Sequence, residues 1–110
     1  MKHKIYTCLE DINIAIIQIY DFLPVDIKYS DFEGDIKTQK AIERNIEIIG
    51  EALNRILKET PDIGISDSRK IVDTRNRIIH GYDSITPDIL WLIIKQSLPI
   101  LQNEVSELLK

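Results

Sequence analysis

Residues 41–56 read AIERNIEIIGEALNRI. Ile42, Ile46, Ile49, Leu53 and Ile56 alternate steps of four and three, which lines one face of a helix with apolar side chains. The stripe predicts a helix from about residue 36 to residue 58, stopped by TPDIG at 60–64. Gly50 lies inside it, where glycine costs ~1 kcal/mol against alanine. A close approach by another backbone is the expected reason for that glycine.

The same periodicity extends in both directions. Upstream, Ile5, Leu9, Ile12, Ile16, Ile19 and Leu23 form a first stripe, which Pro24 should end. Between the two stripes, PVDIKYSDFEGDI at 24–36 carries Pro, Gly and several Asp and reads as a connection. Downstream, Ser66 or Ser68 can cap a third, shorter helix running into the RNRIIH segment, and Gly81 suits its end. Thr86 as N-cap, Pro87 at the first helical position and Asp88 in the first turn open a last helix. Leu90, Ile94, Leu98, Leu101, Val105 and Leu108 stripe it, and Pro99 should bend it or split it in two. The expected fold is all-α, an antiparallel helical bundle of four to five helices. Ile14 and Ile17 accompany the first stripe, and Trp91, Leu92 and Ile93 the last, which is more apolar surface than one small bundle buries. Self-association is expected.

Composition narrows the class. The 110 residues suit one domain, 1–110, with 44% hydrophobic and 29% charged content, as in globular proteins. No apolar run approaches the ~18–20 residues that span a bilayer. Acidic residues interrupt MKHKIYTCLEDIN at 1–13, so it does not read as a signal peptide, and a cytoplasmic location without membrane attachment is expected. A net charge of −4 argues against a broad basic face that coats nucleic acid. A local basic cluster remains at Arg69, Lys70, Arg75 and Arg77, opposed by Asp67 and Asp73. The single cysteine, Cys8, falls in the apolar pattern and is expected to be a buried, inert thiol. One Cys and two distant His cannot assemble a zinc site; carboxylate-only magnesium binding stays open, but nothing in the spacing asks for it, and no metal and no cofactor are expected.

Chemistry concentrates in DTRNRIIHGY at 73–82. A histidine near neutral pKa can take a proton from a ribose 2′-hydroxyl or give one to the leaving oxygen. An arginine can hold the phosphate and stabilise the charge developing in the transition state. Asn76 can fix the imidazole or the phosphate, and Tyr82 can hydrogen-bond the phosphate or stack on a base. The bland account sits beside this one: a lone histidine at a helix end is commonly a cap, and arginines around it are commonly solvated. Geometry adds a condition. Arg75 and His80 are five residues apart, a net ~140° around an unbroken helix, so they do not converge from one regular helix. Either the helix ends at His80 or a second copy contributes. Asn76 and His80, four apart, share a face.

The segment RNRIIHGY, read as Arg, four residues, His, one residue, Tyr, resembles the signature of HepT-like proteins of the HEPN superfamily. AIERNIEIIGEALNRI resembles that family's second-helix signature, DFEGD with KTQKAI the segment entering it, and ITPDILWLIIKQSLPILQNEV its last helix. The chain departs where many relatives carry a tryptophan just upstream of the motif, having Arg69 or a neighbour within DSRKIVDTRN instead.

The resemblance implies a homodimeric, HEPN-type bundle whose motif segments face each other across a cleft. It implies a metal-independent endoribonuclease, the toxin of a type VII HepT/MntA-like toxin-antitoxin system. By position, Arg75 and His80 would be catalytic, Asn76 supporting, and Tyr82 the tyrosine that an MntA-like nucleotidyltransferase antitoxin modifies with AMP. Arg77 is a candidate RNA contact, while Glu43, Glu47 and Glu51 read first as a solvated, salt-bridged face. Two other classes stand beside the toxin: a non-catalytic nucleotide- or substrate-binding subunit of a nucleotidyltransferase complex, and a structural helical dimer.

Overall fold

The computed structural model describes residues 2–80 and 85–110. Its helices are α1 (His3–Phe22), α2 (Tyr29–Glu33), α3 (Ile36–Glu59), α4 (Ser68–Ile79), α5 (Pro87–Leu92) and α6 (Leu98–Leu109). The last two are joined without a break by a wide π turn, Ile93–Ser97, so α5 and α6 make one long helix with a π-helical segment in it. The all-α bundle of about five helices is therefore observed.

Helix α3 is the centre of the bundle, packing against α1, α2, α4 and α5. Its stripe residues Ile42, Ile46, Ile49, Leu53 and Ile56 are all fully buried, as the periodicity requires. Each such side chain contributes about 1.5–3 kcal/mol by leaving water. Helices α1 and α3 run antiparallel: Lys4 at the start of α1 pairs with Glu59 at the end of α3 at 3.0 Å. A buried polar group also bridges these two helices. Asn45 Nδ2 donates to the Ala15 carbonyl at 3.1 Å and to Gln18 Oε1 at 3.0 Å, so its burial leaves that amide nitrogen bonded. Cys8 is buried in the same layer, as expected, and burial pushes its thiol pKa up.

The connection expected over residues 24–36 holds a helix instead. Within α2, Phe32 is fully buried, and Tyr29 lies one turn before it, packed against the core. Trp91 joins them, its ring centroid 5.6 Å from Tyr29 and 5.3 Å from Phe32, with the Lys95 ammonium 4.7 Å from its face. Gln39 Nε2 donates to the carbonyls of Phe32 and Glu33 at 2.8 and 2.9 Å, satisfying the end of the turn. Composition hid this helix, because one buried aromatic pair among polar residues shows no periodicity.

Capping differs from expectation as well. Neither Ser66 nor Ser68 caps α4: Asp67 holds the N-cap position at a left-handed φ of 55°. The Ser66 hydroxyl and N–H instead donate to the Glu104 carboxylate of α6 at 2.8–3.1 Å. Thr86 and Pro87 open α5 as expected, though the Thr86 hydroxyl bonds the Asp88 carboxylate rather than a backbone N–H. Near Pro99 the chain widens: the Leu98 N–H reaches back five residues to the Ile93 carbonyl. Widening relieves the clash that a proline ring makes with the carbonyl four residues earlier.

At the head of α3, Asp35 accepts the Thr38 N–H at 3.1 Å and the Thr38 hydroxyl at 2.6 Å. These bonds hold its pKa below the ordinary aspartate value. A depressed folded-state pKa contributes stability above the unfolded pKa, and that contribution is lost as pH falls through the folded one. Asp35→Ala should therefore unfold at lower urea than the parent near neutral pH, with the gap closing in acid. A gap that persists unchanged below the aspartate range would remove the carboxylate cap from the account.

Candidate active site

Helix α4 turns three faces to three environments. Ile71 and Val72 are buried against the bundle, and Thr74 turns its hydroxyl back onto the Lys70 carbonyl at 2.9 Å. Arg75 points at α3 where Gly50 leaves room. A Cβ on Gly50 would stand 2.4 Å from Arg75 Cβ, 2.8 Å from Arg75 Cγ and 3.4 Å from the Ile71 carbonyl. The approach at Gly50 is close, but it is made by a side chain and not by the backbone expected: the stem of a candidate catalytic residue stands nearest, and the backbone oxygen of Ile71 is only in ordinary contact.

The guanidinium beyond that stem is half-buried. Its Nη1 donates to Asn76 Oδ1 at 2.8 Å, and its Nε–H is buried with no hydrogen-bond partner among the described residues. A buried N–H of a cation without an acceptor is costly. It marks a position where an anionic oxygen gains more than it would at the open surface. Asn76 thus touches Arg75 through its side chain, while its backbone carbonyl accepts the His80 N–H at 3.2 Å.

His80 is exposed and caps α4 with φ −73° and ψ 0°, so the backbone keeps its helical course to this residue. The ~140° divergence from Arg75 persists, together with about 7.5 Å of rise. The helix thus reaches His80, and its backbone supplies no sharp turn before that residue. Tyr82 and the helix stop expected at Gly81 lie outside the described residues.

The basic cluster of the sequence is divided by the fold. Arg75 faces α3, Arg69 is exposed in the first turn of α4, and Lys70 and Arg77 face the opposite way. They line an open groove of about 520 Å³ between α4 and α5, with Asp73 and Thr74 beside them. Ile89, Leu92 and Ile93 form its apolar side. Sequence reasoning missed this groove, although residues 70, 73, 74 and 77 share the spacing of one helical face. Glu43, Glu47 and Glu51 pair along α3 with Lys40, Arg44 and Arg55 at 3.5, 3.8 and 2.9 Å, the salt-bridged face expected of them. Among the described residues, no group of three or more His, Cys, Asp or Glu could hold a metal ion, and no helix is long and apolar enough to cross a membrane.

Fold and site together define an all-α protein that carries a preset arginine and an exposed histidine on one short helix. Comparison with known proteins identifies the family. The family model described as Ribonuclease HepT-like matches residues 11–108. The chain is 37% identical over 113 residues to "Probable ribonuclease HepT" of Thermococcus cleftensis, covering 99% of this chain and 97% of that one. It is 30% identical over 113 residues to "Putative RNase MJ0127" of Methanocaldococcus jannaschii, covering 99% and 90%. No solved structure matches it. The chain belongs to the HepT-like ribonuclease family, and membership bears out the expectation of an enzyme of the nuclease class.

Proposed function

We propose that the chain is a metal-independent endoribonuclease, the toxin of a toxin-antitoxin pair, acting as a homodimer of HEPN-type bundles. The observation that carries this reading is Arg75: a guanidinium seated on Gly50 and bonded to Asn76, with a buried N–H awaiting an acceptor, in a chain of a ribonuclease family. In the reaction, a ribose 2′-oxygen attacks the adjacent phosphorus as its proton passes to an imidazole. The bond from phosphorus to the 5′-oxygen breaks, and a proton is delivered to that oxygen. The products are a 2′,3′-cyclic phosphate and a 5′-hydroxyl. Arg75 stabilises the charge gathering on the phosphoryl oxygens, and His80 serves in proton transfer. Two copies supply what one α4 cannot align. Exposed Ile79, four residues beyond Arg75 on nearly the same face, and exposed Ile14 and Ile17 supply apolar surface for association.

Tyr82 is the switch in this reading. An MntA-like nucleotidyltransferase joins the phenol oxygen to the α-phosphorus of ATP, with loss of the phenol proton and departure of pyrophosphate. The adduct adds bulk and negative charge two residues from His80 and repels RNA.

The test is cleavage of total RNA by the purified chain with EDTA present. Fragments ending in cyclic phosphate are expected. RNA left intact after any AMP is removed from Tyr82 would overturn the ribonuclease reading. Co-expression with the nucleotidyltransferase should add AMP-sized mass that Tyr82→Phe loses. An increment that survives that substitution identifies another acceptor.

A further inference from the structure

We infer that the groove between α4 and α5 is a base-recognition subsite for a guanine nucleotide beside the scissile phosphate, with Asp73 as the residue that selects the base. The inference rests on the ribonuclease reading and names part of its substrate specificity.

Three properties of the groove point to this occupant. Its volume of about 520 Å³ exceeds what a few ordered waters need and lies within the range of small-molecule sites. One side, built by Ile89, Leu92 and Ile93, is apolar and branched, which suits the faces of a purine. Leu92 is 47% exposed, a large apolar side chain left in water at the groove's edge. The other side presents charge in a fixed order along α4: Lys70, Asp73, Arg77.

That order fits a nucleotide and not merely an anion. Lys70 and Arg77 stand one turn before and after Asp73 on the same face, placed for phosphates on either side of a bound base. A groove built only for phosphate gains nothing from a carboxylate between its two cations. A carboxylate offers two acceptors and no donor. Among the Watson–Crick edges, guanine alone presents two adjacent donors, N1–H and the N2 amine, which match it in parallel. Adenine and cytosine set a ring nitrogen acceptor against it, and uracil flanks its one donor with two carbonyls. A single-stranded RNA segment can splay a base into such a slot.

Position ties the groove to cleavage. Arg77 lines it, and His80 follows three residues later, about 4.5 Å along the axis and ~60° around it. A nucleotide held at Asp73 therefore places the next phosphate toward the His80 end of α4. Arg75, on the far side of the helix, is not part of this surface. In the shared site proposed above, base selection then comes with His80 from one copy, and phosphate activation comes from the Arg75 of the other.

The experiment has two arms. In the first, RNA of mixed sequence is cut by the parent chain and by Asp73→Asn, and the ends are sequenced. The parent should cut next to guanine, and Asp73→Asn should lower that preference about tenfold, as loss of one bidentate base contact does. In the second, His80→Ala, which leaves the groove intact, is titrated with guanosine, adenosine and uridine 5′-monophosphates while the amide resonances of α4 are followed. Guanosine monophosphate should bind several-fold tighter than the others and shift residues 70–77, and adding Asp73→Asn should erase the difference. Equal or absent binding, or shifts that follow protein concentration instead of nucleotide, would overturn the inference, the last because a second copy then fills the groove. If guanosine monophosphate binds selectively but no RNA is cut, the ribonuclease reading fails and the subsite stands. If RNA is cut without base preference, the subsite alone fails.

Discussion

His80→Ala is expected to slow RNA cleavage by about 10²–10⁴-fold, the range lost when a positioned proton-transfer group is removed. Binding of RNA should change little, because His80 is exposed at the end of α4 and supports no part of the core. Arg75→Ala should cost about 10²–10³-fold through the phosphoryl charge it no longer stabilises. Arg75→Lys should recover only part of this, since an ammonium keeps the charge but loses the planar fork.

The divergence of ~140° between the two residues makes a sharper outcome available. If a site is completed by Arg75 from one copy and His80 from the other, mixing Arg75→Ala with His80→Ala protein should restore activity in the mixed dimers. There, one site carries both lesions and the other carries none. If both residues act within one chain, every site carries a lesion and mixing restores nothing. Absence of complementation in demonstrated mixed dimers sinks the shared site while leaving the single-variant results to test the chemistry.

The second large effect is expected at Gly50. On intrinsic helix propensity alone, Gly50→Ala should stabilise α3 by ~1 kcal/mol. The new Cβ would stand 2.4 Å from Arg75 Cβ, and α4 must move for it to fit. Overpacking of this kind costs typically about 1–3 kcal/mol, so a net loss of stability is expected, read as a lower urea midpoint. Activity should fall with it, because α4 carries both Arg75 and His80. The clash is with Cβ, so Arg75→Ala should not relieve it, whereas Arg75→Gly in the Gly50→Ala background should. A Gly50→Ala protein as stable as its parent would show that α4 yields without resistance.

The stripe at Ile42, Ile46, Ile49, Leu53 and Ile56 is buried as read, and α3 spans Ile36–Glu59 against an expected 36 to 58. The proline at 99 does disturb the last helix, and a π turn absorbs it. The serines at 66 and 68 were legible as capping residues, yet Glu104, 38 residues away from Ser66, takes the Ser66 hydroxyl. The buried Phe32 was illegible because its partners, Trp91 and Gln39, are supplied by later helices. At the candidate site, the motif from Arg75 to His80 was readable, while the division of the basic cluster between α3 and the groove was not.

The amino-acid sequence by itself determined the helices other than α2, their apolar faces, the all-α class and the awkward angle between Arg75 and His80. Those are local properties, set by a helical period of 3.6 residues and by side chains a few positions apart. Tertiary structure alone decided that Gly50 exists to seat Arg75, that α2 is held by Trp91, and that Lys70, Asp73 and Arg77 open onto a groove with Ile89, Leu92 and Ile93. Each of these depends on which helix lies beside which. That choice comes from the summed burial of whole faces across the core, which no single stretch of the chain encodes.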